Sequence, residues 1–111
     1  MGRYPHTPDG RYFVAKGRLW RCSDPALEPA RRQQLVNELM AARRAVGRAA
    51  DKASEEQARK QVHDAKIALG ERGPVWWTDQ APDESRKKPV NSRYAGWWLS
   101  LDKKTRDNAT G

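Results

Sequence analysis

The sequence predicts an α+β fold: a small antiparallel β-hairpin or three-stranded sheet packed on an antiparallel helical hairpin, plus a short C-terminal helix. Three observations carry this. Leu35, Leu39, Ala42, Val46 and Ala49 recur at steps of four and three, the spacing of one helix face. Ala58, Val62, Ala65 and Leu69 repeat that spacing further on. Ahead of both, RYFVA and RLWRC flank Lys16-Gly17, two runs of β-favouring residues around a two-residue turn.

Residues 1–10 carry Pro5, Pro8 and Gly10 and read as an irregular arm, with Tyr4 as its anchor. The β-hairpin spans 11–22. Alternation places Tyr12 and Val14 on one face and Phe13 on the other. On the second strand, Leu19 and Arg21 share a face, opposite Arg18, Trp20 and Cys22. Such a hairpin is marginal alone, so it needs the helices or a third strand.

The helical hairpin spans 29–70. Pro29 suits a first helical turn. Gly47 marks either a close backbone approach or a weak point. Ser54 with Gln57 forms a capping box that predicts a second helix from about residue 55, and Glu55 and Glu56 suit its first turn. Gly70 or Gly73 ends it before Pro74. The short connection favours antiparallel neighbours over one unbroken helix. Arg43 lies beside Val36 on the wheel, and its stem is expected to lie over the core, with Asp64 or Asp79 as partner were it buried.

Val75–Thr78, within the tryptophan-rich segment 74–78, is the candidate third strand. Residues 79–90 are polar with two prolines and read as a mobile connection. Tyr94, Trp97, Trp98 and Leu101 fall on one stripe of a helix over 92–101, whose Gly96 lets a partner's backbone come close. Residues 102–111 are expected to be a disordered tail. One domain over 1–101 follows.

The chain has 111 residues, enough for one core, and only 37% are apolar. Twenty-two basic residues against 14 acidic give +8. That balance suits nucleic acid or an acidic protein, and equally simple solubility. The single cysteine excludes an internal disulfide. No apolar stretch reaches transmembrane length and no signal peptide is readable, so a cytoplasmic protein without membrane association is expected.

Enzyme chemistry finds little support. His63 and Asp64 are adjacent on a helix and do not face each other. His6, His63 and Cys22 lack zinc-ligand spacing. No nucleotide-binding glycine loop is present. No metal or cofactor is therefore expected. The binding candidates are Arg44 and Arg48 on the polar face of the first helix, the run Arg86-Lys87-Lys88, and the pairs Trp76-Trp77 and Trp97-Trp98. In each pair, one ring is expected to plug the core beside the helical hairpin and the other to cover its edge. The sharper alternative is an exposed aromatic patch that binds protein or stacks single-stranded bases. The basic residues read more simply as ordinary solvated faces, with Asp83 and Glu84 partly cancelling the run at 86–88.

The segments DGRYFVAKGRLWRCSDPAL, LVNELMAARRAV and AKIALGERGPVWWTDQAPD resemble a family of small bacterial proteins without an assigned activity. The resemblance covers roughly residues 7–83 and implies a bacterial, cytoplasmic protein; no functional residue carries over from it. The expected function is non-enzymatic binding to a protein or to nucleic acid, by a monomer or weak homodimer. The alternatives are a small enzyme using Cys22 or His63, or a purely structural interaction protein.

Overall fold

The computed structural model describes residues 4–111. It is an α+β protein with a two-stranded antiparallel hairpin, an antiparallel helical hairpin and short C-terminal helices. The chain divides into two compact units. One unit runs to Cys22 and resumes over Trp77–Gly111; the other is Ser23–Trp76.

In the first unit, β1 (Tyr12–Ala15) pairs with β2 (Arg18–Arg21). Lys16 and Gly17 both take positive φ, 53° and 75°, as a type I′ turn requires. The register sets Tyr12 opposite Arg21 and Val14 opposite Leu19. That face is fully buried, as alternation predicts. Phe13 and Trp20 face each other on the half-buried side.

Val75–Thr78 is not a strand. Both hairpin edges are already occupied. The arm pairs with β1 through a bridge between His6 and Phe13, and the Val14 N–H donates to Pro5 at 3.0 Å. On β2, the Arg86 N–H donates to the Leu19 carbonyl at 2.7 Å, and the Leu19 N–H to the Lys87 carbonyl at 2.9 Å. Ladder-type hydrogen bonds thus fix residues 86 and 87 of the segment expected to be mobile.

A 3-10 turn (Pro89–Asn91) leads to α3 (Ala95–Ser100), shorter than the helix expected over 92–101. The expected disordered tail instead carries α4 (Lys103–Thr110). Asp102 caps it by accepting from the Thr105 N–H at 2.7 Å, Lys103 pairs with Asp107, and Ala109 is buried. The Gly17 N–H donates to the Ala109 carbonyl at 3.0 Å. These contacts supply the anchor that composition does not reveal.

In the second unit, α1 (Pro29–Arg48) and α2 (Lys52–Leu69) pack through Leu35, Leu39, Ala65 and Leu69, flanked by Leu27, Val36 and Val62. Asp51, not Ser54, is the N-cap of α2: its carboxylate accepts from the Ser54 N–H at 2.8 Å. Asp51 caps as well as serine and stands three residues earlier, so the helix gains most of a turn. Gly70 ends α2 in the left-handed conformation (φ 87°), and the Glu71 N–H donates to Lys66. Arg43 is exposed. Among the described residues, no helix is long and apolar enough to cross a membrane.

Candidate interaction surface

Tyr12 is the centre of the first unit. Its ring meets Trp77 edge-on at 5.6 Å and Tyr94 at 5.5 Å between centroids. The Arg11 guanidinium lies 4.8 Å from the Trp77 centroid and bonds Asp79. Arg21, its side chain 1% exposed, lies 5.9 Å from the same ring and 3.4 Å from Asp83. The Trp77 indole N–H donates to the Ala81 carbonyl at 2.7 Å. Asp9 accepts from the Tyr94 hydroxyl at 2.6 Å and the Thr7 hydroxyl at 2.7 Å.

These contacts set the protonation states. Burial works to raise the Asp9 carboxyl, but hydrogen bonds from Tyr94 and Thr7 outweigh it and hold Asp9 below its usual range. At Asp83 burial is likewise outweighed, by Ser85 and Arg21. Burial pushes Tyr12 up to about 12 and raises Tyr94 further. Both phenols therefore stay neutral at ordinary pH. Arg11, Arg21, Asp79 and Asp83 pair with one another, and the cluster is a framework.

The framework positions a surface. The Glu84 N–H donates to the Tyr12 hydroxyl at 2.8 Å, and the buried Glu84 carboxylate accepts from the Arg93 N–H at 3.1 Å. The turn between them and β2 holds Arg86 in a left-handed conformation, φ 71°. Arg18 of β2 donates to the Arg86 carbonyl at 3.2 Å. Arg18, Arg86, Lys87 and Lys88 are exposed together along this edge. Lys87 lies 3.7 Å from Glu84. Among the described residues, Arg18, Arg86 and Lys88 pair with no carboxylate.

The other candidates sit elsewhere. Arg44 and Arg48 line one shallow groove of about 520 Å³ in the second unit, with Ser54, Gln57 and Gln61 and an alanine floor. Trp77 and Trp98 are buried, and Trp76, Trp97 and Trp20 half-buried. In each pair one ring is buried and its neighbour half-buried, and the buried members Trp77 and Trp98 belong to the unit of the β-hairpin. Cys22 is half-buried, with its N–H donating to Arg11, and the exposed His63 lies 3.2 Å from Arg72.

Sequence reasoning missed Arg18 and Arg21. Alternation already placed Arg21 on the face of Leu19, where a buried arginine must find a carboxylate. Arg18 joins the basic run through its guanidinium, which donates to the Arg86 carbonyl 68 residues away, and no local pattern announces that bond. Comparison with protein-family models, with characterised proteins and with solved structures gave no match.

Proposed function

We propose that the protein is a non-enzymatic binding module that engages a nucleic-acid phosphate backbone through the β2 edge. One observation carries the reading. Arg18 and Arg86 are held along one edge, exposed Lys88 follows two residues on, and among the described residues none of the three pairs with a carboxylate, so their charge is available to an external anion. The unit carrying them holds most of the excess positive charge of the sequence. The tryptophans are half-buried or buried, which supports contact with backbone rather than base stacking.

The test is fluorescence anisotropy with duplex and single-stranded oligonucleotides across a salt series. Binding through these cations gives a slope of log K against log salt of about −3 to −4, near 0.9 per neutralised phosphate. Arg86→Ala with Lys88→Ala should weaken binding for all sequences alike and lower the slope by about one per residue removed. No binding at low ionic strength removes this reading. Binding of an acidic protein without binding of either nucleic acid assigns the edge to a protein partner instead.

A further inference from the structure

The two long helices treat their charges differently. On α2, Lys52 pairs with Glu56, Arg59 with Glu55 and Lys60 with Asp64, each four residues apart. On α1, Glu38 and Arg48 are exposed, and among the described residues neither has an ion-pair partner in its own chain. They stand on one seam with Ala41 and Ala45, at steps of three, four and three. This seam runs beside the one that carries Leu35, Leu39 and Ala42 into the hairpin core.

The seam edges a groove between the helices. Towards the hairpin connection it is lined by Arg44, Arg48, Gln57 and Gln61 over alanines. Towards the other end it continues past Leu35, Ala42, Ala65 and Ala68, with Arg31, Glu38 and Asp64 on its rim. Ala41 and Gln61 belong to both stretches. The floor is apolar and small, which permits close approach of a helix, and the rim is charged, as at protein interfaces. One end carries Arg44 and Arg48; the other carries Glu38 and Asp64 together with Arg31.

We propose that this face is the interface of a homodimer in which α1 packs antiparallel against α1 of a second copy. The seam is its own complement under a two-fold axis. Glu38 and Arg48 each stand five residues from position 43, and Ala41 and Ala45 each two. An antiparallel two-fold through that position therefore sets Glu38 against Arg48 twice, and Ala41 against Ala45 twice. A parallel pairing would set Glu38 on Glu38 and Arg48 on Arg48. The charges thus select both orientation and register, and the alanines let the axes come close. The inference is independent of the nucleic-acid reading, which rests on residues of the other unit.

The test is sedimentation equilibrium of the full chain over a wide concentration range, with a charge swap. Wild type should show a monomer–dimer equilibrium that weakens with salt. Glu38→Arg and Arg48→Glu should each raise the dimer dissociation constant by about tenfold or more, since each places like charges in register twice. The double variant should recover to within about threefold of wild type, a rescue that a merely structural role does not give. Ala45→Gln, with helicity checked by circular dichroism, should abolish the dimer while leaving the hairpin folded. A monomer at all concentrations, a dimer indifferent to the single reversals, or a double variant no better than the singles overturns the proposal. A monomer that instead captures a helix of another protein in this groove also overturns it.

Discussion

The Tyr12 hydroxyl accepts the backbone N–H of Glu84 at 2.8 Å, a buried bond between residues 72 apart in sequence. It ties a polar segment to the hairpin at the point where the basic edge begins. Tyr12→Phe keeps the ring contacts with Trp77 and Tyr94 but strands that N–H. The expected cost is about 1–3 kcal/mol, the penalty of an unsatisfied buried donor. Urea unfolding measures it, and a loss below about 0.5 kcal/mol contradicts the assignment.

The same framework gives two pH limits. Asp9 and Asp83 titrate lower folded than the ordinary carboxylate value of about 3.9. Their contribution is complete above that value and is lost as pH falls through the depressed folded values. Tyr12 is raised, from about 10 unfolded to about 12 folded. Its contribution is complete below about pH 10 and is lost as pH rises toward 12. Thermal midpoints should therefore fall at both extremes, and Tyr12→Phe should flatten the alkaline limb.

Three glycines should respond oppositely to alanine. A Cβ on Gly70 would lie 3.1 Å from both the Asp24 backbone nitrogen and its Cβ, on a residue at φ 87°. Gly70→Ala should cost more than about 1 kcal/mol, from left-handed strain and the clash together. Gly47 and Gly96 meet nothing within 4 Å. Neither is approached closely within its own chain, which leaves Gly47 as the weak point of α1, and Gly47→Ala should stabilise by about 0.4–1 kcal/mol. Calorimetry on the three variants checks the order.

The tryptophan pairs should separate by burial. Trp98, 7% exposed, should cost about 3–5 kcal/mol on truncation to alanine. Half-buried Trp97 should cost about 1 kcal/mol. Chemical denaturation of the two variants reads the difference; equal costs contradict the division of roles.

The start of α2 is tested by comparing two substitutions. Asp51→Ala removes the acceptor of the Ser54 N–H and should fray the first turn. Gln57→Ala should have a smaller effect, because Ser54 lies inside the helix rather than at its cap. Amide hydrogen exchange at residues 52–56 reports which residue caps.

The sequence by itself determined what depends on neighbours a few residues apart. The four-three spacing of Leu35, Leu39 and Ala42 specifies α1, because 3.6 residues make a turn. Alternation from Tyr12 to Arg21 assigns the buried hairpin face, and Lys16-Gly17 its turn. Only the tertiary structure decided what depends on partners far along the chain. Residues 79–90 have a loop's composition, yet Glu84, Arg86 and Lys87 are held by bonds to Tyr12 and Leu19. The tail looks unanchored, yet Ala109 is buried and bonds Gly17 through its carbonyl. In each case the anchor is a backbone donor or acceptor. Every residue but proline carries both, so no side-chain pattern advertises which will pair. Arg18 joins the candidate basic edge for the same reason, through the Arg86 carbonyl.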